Sequence, residues 1–455
     1  MKKSGFRTTG AALIPALALA VFPAGVFAQS KASSNAAPGG AADGAVAMTA
    51  EEAVEYALRN SRQLQSGAID LEIKKRASDT AWNALLPSAQ VSGTMSRTNE
   101  IASASKPSDP TESDHWRAAG NASLSLGFSA ATLESIRAAH VGYESGLITR
   151  EQAFRQTERD VRKLFYSLLL AQESLALQEN SLESAKSRAA QAEISYRNGK
   201  VPELSLLQAK VAYQNQEPQV LKLRQSLAQS LDTFAFLLGM SPGTKIRLKG
   251  EIAPAYYAAD ADALIREHLG ARLDMQALDK NIEQLAAQKA ALDLQAFTPA
   301  LQAGWSYQPT AGVTALKNNW ADNGGLSLTL SWDLANLLPW SQSRQGAKDL
   351  EANIRKLELA KSTLRDQAVN EIRQLAAALE LSRTQIEASR ANIALAQRAC
   401  DMTALSYRNG TTELLDLRDA ESSLNQAKLG LLNERFSYLS GVLDLEYALN
   451  AKLAQ

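Results

Sequence analysis

The feature that most constrains the fold is an internal duplication. The pentapeptide Ser-Tyr-Arg-Asn-Gly occupies residues 195–199 and returns at residues 406–410, a shift of 211 positions. Three positions downstream obey the same shift: Leu204, Leu206 and Ala209 return as Leu415, Leu417 and Ala420. An offset that persists over most of a chain indicates a tandem duplication, and this unit is too long for a solenoid repeat. Each half is therefore predicted to be one copy of a single structural unit.

The first 28 residues have the organisation of a secretory signal peptide. A basic start precedes an apolar stretch over residues 11–22, and residues 26–28 form a small-x-small cleavage site. Because the apolar stretch is short and interrupted by Pro15, a cleaved signal is predicted rather than a membrane anchor. Cys400 is the only cysteine, so no lipid anchor is expected at the cleavage site. Residues 29–47, rich in Ala, Gly and Ser, are predicted to form a disordered leader.

Composition excludes several classes of function. Basic and acidic residues number 48 each and are spread along the chain, which argues against a nucleic-acid binder. The three histidines, His115, His140 and His268, lie far apart in sequence. No metal-ligand spacing and no Gly-rich phosphate loop accompany them. The sequence therefore predicts no catalytic residues, no metal, no cofactor and no enzyme.

Each half contains two segments in which apolar and polar residues alternate. The predicted strands span about residues 88–97 and 119–129 in the first half, and about residues 300–308 and 325–334 in the second. Each is about ten residues long, the length of a strand tilted across a bilayer. The polar positions are small and uncharged, which is typical of a pore wall, although a soluble sheet with one wet face has the same period. Five aromatic residues are predicted at the membrane interface: Phe128, Trp305, Tyr307, Trp332 and Trp340.

The remainder of each half is predicted to be helical. A helical block at about residues 49–85 precedes the first strands, and proline-free segments at residues 133–197 and 341–408 follow the strand pairs. A helix of about 65 residues is roughly 100 Å long and cannot pack inside a compact domain. Apolar residues at spacings of three and four indicate a coiled-coil seam. Gly199 and Gly410 end these helices, and return helices follow at about residues 202–238 and 412–452.

The predicted organisation is therefore a first repeat at residues 48–240, a linker at residues 241–259 and a second repeat at residues 260–455. Each repeat contains a helical hairpin, with its tip near residues 198–202 or 409–412. Four strands per chain cannot close a membrane barrel, because an open sheet edge in lipid leaves backbone groups unpaired. The strands must then be shared between chains. Two chains would supply eight strands and three would supply twelve, and strand count alone does not choose between them.

Taken together, these features resemble the TolC family of outer-membrane efflux proteins. The resemblance covers about residues 49–449. It rests on the duplicated half, the strand pairs after Pro87 and Pro299, and the Tyr-x-x-Gly-x-x-x-x-Leu-x-Leu tips. It implies a mainly α protein with membrane β: a homotrimer with a twelve-stranded outer-membrane β-barrel, continued by a periplasmic α-helical barrel. It also implies an exit duct for tripartite efflux, such as drug export, or type I secretion. An inner-membrane pump of the RND, ABC or a similar class would work through a periplasmic adaptor (membrane fusion protein).

The resemblance also suggests a periplasmic gate. Asp416 and Asp419 match acidic residues that line the closed periplasmic end in the family, and in a trimer they would form carboxylate rings that favour cations. Tyr407 matches a tyrosine that holds the entrance shut. The alternative is attraction of the acids to the helix dipole, but both are expected one to two turns into the helix, where that effect fades. Two family latch positions differ here, being Ser205 and Thr412.

The hairpin tips are the predicted contact for the adaptor. The residues concerned are Arg197, Asn198 and Gly199 in the first repeat and Arg408, Asn409 and Gly410 in the second. The alternative is turn chemistry alone, because Asn-Gly tolerates left-handed backbone angles. For the whole chain, the competing hypothesis is a periplasmic coiled-coil scaffold or adaptor without membrane strands.

Overall fold

The computed structural model describes residues 46–97, 116–241, 243–257, 260–312 and 321–453. The predicted signal peptide, residues 29–45 of the predicted leader, His115 and Trp320 lie outside the described residues. The last two residues of the predicted leader are ordered, contrary to the prediction. Strand β1 (Val46–Met48) pairs in parallel with β4 (Ile246–Leu248), so the end of the leader gains backbone hydrogen bonds, and Met48 is buried in the core.

The two halves have the same succession of helices and strands. In the first half, β1 is followed by α1 (Ala50–Asn60), α2 (Arg62–Thr80), β2 (Ser88–Arg97), β3 (Trp116–Phe128), α3 (Ala130–Arg197), α4 (Glu203–Leu238) and β4. In the second half, the elements are α5 (Ala261–His268), α6 (Leu273–Phe297), β5 (Ala300–Tyr307), β6 (Pro309–Gly312), β7 (Ala321–Asp322), β8 (Gly325–Ser331), α7 (Gln342–Arg408) and α8 (Leu414–Leu449). Helices α4 and α8 each have 36 residues and start 211 positions apart. The predicted duplication is thus present in three dimensions.

The helical block predicted at residues 49–85 is divided. Helix α1 ends at Asn60, and α2 begins at Arg62. The residue between them, Ser61, has an extended backbone (ψ 123°). The backbone of Gly239 lies against this break, because a Cβ placed on Gly239 would lie only 2.3 Å from the carbonyl oxygen of Asn60. Thr49 caps α1 through a reciprocal capping box with Glu52. A 3-10 turn (Ala81–Leu85) then leads from α2 into β2.

Two strand boundaries differ from the predictions. The predicted strand at residues 119–129 begins three residues earlier, at Trp116. The predicted strand at residues 325–334 ends at Ser331, although the polar/apolar alternation continues to Leu334. The Asp333 carboxylate ends it, since its Oδ1 accepts a hydrogen bond from the backbone N–H of Ala335 (3.1 Å) and caps a 3-10 turn at Leu334–Leu337.

Helices α3 and α7, with 68 and 67 residues, dominate the molecule. Each is about 100 Å long at 1.5 Å per residue. Across the described ranges, no helix combines the length and the apolar character needed to cross a membrane. The core lies at the mid-length of these helices in two clusters, one per half. The first is centred on Phe165 and Phe234, and the second on Ile372, Tyr438 and Leu445.

The other six strands form one antiparallel sheet, in which four run in the order β2–β3–β5–β8. Strand β6 continues the line of β5 along β3, and β7 continues that of β8. The edge strands β2 and β8 each pair on one side only within the described sheet. Below the sheet, α2 packs on α3, α3 on α6 and α6 on α7, so the helices continue the order of the strands.

Candidate functional site

The register of the sheet separates its residues into two faces. Leu124 lies opposite Trp305, which lies opposite Leu326, and Phe128, Leu301 and Leu330 form a second cross-strand row. These rows belong to one continuous apolar face. Its side chains are exposed within the chain: Leu326 is 84% exposed. A large exposed apolar face indicates an interaction with lipid or protein.

The opposite face carries small polar side chains. Ser88, Ser125, Gly304 and Ser327 form one cross-strand row, in which the Ser88 and Ser125 hydroxyl oxygens are 2.7 Å apart. Gln302 and Thr329 lie opposite each other in the next row. These rows therefore have hydrogen-bonding capacity without charge, as expected where a sheet lines a water-filled passage. Farther along the same face, opposite Ser96, is one basic position, Arg117.

The predicted interface aromatics lie in or beside the strands: Phe128 and Tyr307 end β3 and β5, Trp305 lies within β5, and Trp332 and Trp340 follow β8. Phe128, Trp305, Tyr307, Trp332 and Trp340 are all exposed. The indole Nε1 of Trp332 donates to the carbonyl oxygen of Ala296 (3.2 Å), which fixes its ring at the end of the sheet. Sequence reasoning missed Trp82, an exposed side chain in the 3-10 turn before β2. Its position five residues before Pro87 was the available signal.

The two hairpin tips have the same backbone geometry. In the first, the N–H groups of Gly199 and Lys200 donate to the carbonyl oxygens of Tyr196 (2.8 Å) and Ser195 (2.9 Å). In the second, the N–H groups of Gly410 and Thr411 make the equivalent bonds at 3.0 Å. Both glycines are left-handed, with φ of 68° and 73°. This pair of bonds is the Schellman motif, which explains the turn without any partner.

The side chains around the tips differ between the repeats. The Arg197 guanidinium donates to the Glu193 carboxylate (2.7 Å), and Lys210 lies 3.5 Å from the same group. Lys210 and then Arg197 hold the pKa of Glu193 below its ordinary value. Arg408 has Ala404 at the position equivalent to Glu193 and forms no ion pair with the described residues. Asn198 and Asn409 are the exposed C-caps of α3 and α7.

The two candidate gate carboxylates are exposed on one face of α8 but occupy different positions. Asp416 lies in the first turn, not one to two turns in as predicted, because α8 begins at Leu414. Its Oδ2 accepts from the backbone N–H of Glu413 (3.4 Å), so Asp416 also caps the helix. Asp419 lies a turn further along and has no capping contact. Capping alone can therefore explain Asp416, whereas it leaves Asp419 unexplained.

Tyr407 does not reach a latch partner within the described part of the chain. Its side chain is partly exposed at the end of α7, and its hydroxyl forms no hydrogen bond to the described residues. Ser205 and Thr412 also contribute no side-chain hydrogen bond there. Sequence reasoning missed a different link between the hairpins, the ion pair of Arg188 on α3 with Glu421 on α8. These residues are 233 positions apart, and no local signal relates them.

Comparisons with known proteins agree with this architecture. The family model described as "Outer membrane efflux protein" matches residues 53–240 and 264–451, two segments whose starts and ends are each 211 residues apart. The chain is 22% identical over 283 residues to Nodulation protein T of Rhizobium leguminosarum bv. trifolii, covering 60% of this chain. The match spans 59% of the length of that curated relative.

Two solved structures have the same fold. The CmeC outer membrane channel of Campylobacter jejuni superposes with a TM-score of 0.75 at 17% identity, covering 88% of this chain and 85% of that one. The outer membrane protein VceC of Vibrio cholerae gives a TM-score of 0.73 at 18% identity, with coverages of 89% and 97%. The family match covers most of the chain and both of its repeats. The chain therefore belongs to the outer membrane efflux protein family, whose members are channels and not enzymes.

Proposed function

We propose that this family member is the outer-membrane exit duct of a tripartite efflux or type I secretion system. It conducts substrate passively from an inner-membrane pump and a periplasmic adaptor to the outside. One observation carries the proposal. A sheet with an apolar face, a small polar face and two open edges leads directly into helices of 68 and 67 residues. Such a sheet suits lipid on one side and water on the other.

The open edges favour a homotrimer. The unpaired backbone groups of β2 and β8 need partners in lipid, and a neighbouring copy supplies them. Three copies give a twelve-stranded barrel with a lumen, whereas the eight strands of two copies would be filled by side chains. The helical layer agrees with this closure. Ile69 and Ile73 of α2 and Leu359 of α7 are exposed apolar residues on the helices at its two edges.

The periplasmic entrance lies at the tips. In the trimer, Asp416 and Asp419 form two rings of three carboxylates that favour cations. The capping contact of Asp416 is compatible with this role, because it uses one carboxylate oxygen and the residue is exposed to solvent. Tyr407 at the end of α7 needs a hydrogen-bond acceptor from a neighbouring subunit to act as part of the gate.

Channels of this family work with adaptors and inner-membrane pumps and are homotrimeric. For this chain, the proposed adaptor contacts are Arg197, Asn198 and Gly199 together with Arg408, Asn409 and Gly410. All six are exposed at the tips, and the turn geometry does not require an arginine. At the other end, the exposed aromatics contact outer-membrane lipid at the headgroup level.

Single-channel recording in planar bilayers tests the proposal. The detergent-purified protein is expected to give a small, cation-preferring conductance, and chemical cross-linking is expected to yield trimers. A protein that needs no detergent and gives no channel would instead support the periplasmic scaffold, the competing hypothesis. The exposed apolar face of the sheet disfavours that scaffold, because water would contact every leucine of β8.

A further inference from the structure

The two hairpins of one chain, α3 with α4 and α7 with α8, are connected by few charged contacts. At mid-length, the Lys163 ammonium donates to the Asp444 carboxylate (2.8 Å). Toward the tips, Arg188 of α3 pairs with Glu421 of α8. Among the described residues, no other ion pair or side-chain hydrogen bond joins the two hairpins on the tip side of Lys163. The 25 residues from Lys163 to Arg188 correspond to about 37 Å of helix.

The Arg188–Glu421 pair is well placed to hold the hairpins together. The two side chains are only 23% and 33% exposed, so their attraction is less screened than that of a surface pair. Arg188 Nη2 donates to the Glu421 carboxylate, and its Nε donates to the carbonyl oxygen of Ser184 (3.2 Å), which orients the guanidinium. The pair lies about 14 Å from the end of α3, at nine residues from Arg197.

At this level, the junction combines buried apolar side chains with an open cleft. A cavity of about 620 Å³ separates α4 from α8 beside the pair. Leu204, Leu207 and Val211 line it from α4, and Leu415 and Asn425 line it from α8. Ala185 and Ala189 of α3 and Leu417 and Leu424 of α8 are buried at the same level, so the ion pair acts together with apolar packing. Among the described residues, it is the one ion pair that joins the hairpins there.

The pair exists in one copy, although the chain is duplicated. The positions equivalent to Glu421 and Arg188 in the other repeat are Lys210 and Ala399. Lys210 turns instead to Glu193 within the first hairpin. On the tip side of Lys163, a single ion pair thus ties one hairpin to the other among the described residues, and it has no symmetric counterpart that would limit the movement of α8.

We propose that the Arg188–Glu421 ion pair is the link that holds the second hairpin against the first and thereby sets the width of the entrance. The inference rests on the proposed function and deepens it. Asp416 and Asp419 precede Glu421 by five and two residues on α8. A movement of α8 that breaks the pair therefore displaces both carboxylates. The pair takes the place of the latch for which Tyr407 has no partner among the described residues.

Cys400 supplies a natural reporter of this movement. Its thiol is 8% exposed on α7. Burial raises its pKa, and the Glu421 carboxylate raises it further. A buried thiol of raised pKa reacts slowly with maleimide, because the thiolate is the reactive form. Separation of the hairpins is expected to expose Cys400 and accelerate the reaction.

The experiment compares Arg188→Glu, Glu421→Arg and the double variant with both changes in the full-length protein. Each single reversal is expected to shift the open-to-closed ratio in single-channel records by about tenfold, which corresponds to about 1.4 kcal/mol. The double variant restores opposite charges. It is expected to return both the open-to-closed ratio and the rate of Cys400 labelling by maleimide toward their wild-type values. Arg224→Glu is the matched control, because Arg224 pairs with Glu179 (2.5 Å) inside the first hairpin.

Two results would overturn the proposal. In the first, the single charge reversals leave the open-to-closed ratio and the Cys400 labelling rate at their wild-type values. In the second, Arg224→Glu changes both quantities as much as the reversals do. If the charge reversals do not assemble, Arg188→Gln removes the link without repulsion and must still accelerate Cys400 labelling. The loss of this cation alone would raise the pKa of the thiol and slow the reaction, so an acceleration reports movement. A wild-type protein without channel activity would refute the proposed function alone. The role of the Arg188–Glu421 pair would then still be tested by the rate of Cys400 labelling, because that measurement needs no membrane current.

Discussion

The two hairpin tips share a pentapeptide and a set of backbone hydrogen bonds, but their surroundings have diverged. After the first turn, Pro202 precedes α4, and no side chain caps that helix. After the second turn, Asp416 accepts from the backbone N–H of Glu413 and caps α8. The turn has therefore been preserved by backbone chemistry, whereas the flanking helix starts have been free to acquire different charges.

The arginines of the tips show the same contrast. Arg197 is held by Glu193, whereas Arg408 has no ion-pair partner in the described part of its repeat. The acidic positions of the second return helix, Asp416 and Asp419, correspond to Ser205 and Gln208 in the first. This difference is the basis for a hypothesis that extends the proposed gate: the first hairpin is mainly a support, and the second carries the charges of the entrance. The predictions below test this division, from the largest expected effect to the smallest.

Replacement of both tip glycines is expected to have the largest effect. A leucine at Gly199 and Gly410 meets open space but must adopt φ near +70°, which costs about 1–2 kcal/mol at each tip. The tips should change shape, and pump-dependent export should be lost while the trimer persists. Export by cells that depend on this protein and native mass spectrometry measure the two properties.

The single variants sharpen the comparison between the tips. Gly410→Leu should impair export more than Gly199→Leu if the second hairpin carries the entrance. Gly430→Leu is a matched control, since its side chain also meets open space and its φ is not left-handed. Loss of the trimer in the tip variants would assign the glycines to folding instead of adaptor contact.

Removal of the entrance charges is expected to change ion selectivity. Asp416→Asn with Asp419→Asn removes both carboxylate rings but keeps an oxygen at residue 416 that can accept from Glu413. Cation preference should therefore disappear with little change in thermal stability. Asp416→Ala should also lose the cap, at a cost of about 0.5–2 kcal/mol. Reversal potentials in a salt gradient measure the effect of the charges on selectivity. Unfolding temperatures measure the effect of the capping contact on stability.

The converse variant places acids in the first repeat. Ser205→Asp with Gln208→Asp should add cation preference only if the first return helix also faces the passage. No change in that variant, together with loss in the second-repeat variant, would locate the constriction at α8. An unchanged selectivity in both would move the gate elsewhere.

Features with a local cause were predictable from the sequence. The long helices follow from proline-free segments with apolar spacings of three and four, and strand β2 was predicted with its observed bounds. The ladder between Val46 and Ile246 could not be foreseen, because 200 residues separate its partners. The Arg188–Glu421 pair escaped for the same reason. Asp333 was predicted to lie within a strand, and Asp416 was predicted to lie one to two turns into its helix. Both predictions were wrong because neither periodicity nor a family match reveals a residue that caps a helix.

Tyr407→Phe is expected to have a smaller effect than Arg188→Gln. The hydroxyl has no partner within the described chain, so only an acceptor from a neighbouring subunit can make it part of a latch. Loss of one such bond shifts an equilibrium by about 0.5–1.5 kcal/mol. Conductance should rise modestly in Tyr407→Phe and stay at the wild-type value in Tyr196→Phe, its equivalent in the first repeat. Equal conductance in all three proteins would remove Tyr407 from the gate.

The smallest expected effect concerns the Glu193–Arg197 pair. Because Lys210 and Arg197 lower the pKa of Glu193 in the folded protein, the pair stabilises the first tip above the ordinary pKa of 4.5. That stabilisation is lost as pH falls through the lower, folded value. Spin labels attached through Lys200→Cys or Thr411→Cys, each with Cys400→Ser, can report tip mobility. Only the first-tip label should become more mobile in acid, and Glu193→Gln should abolish the change. An increase in mobility at both tips would mean that acid loosens both hairpins. The Glu193–Arg197 pair would then not be the cause of a difference between the tips.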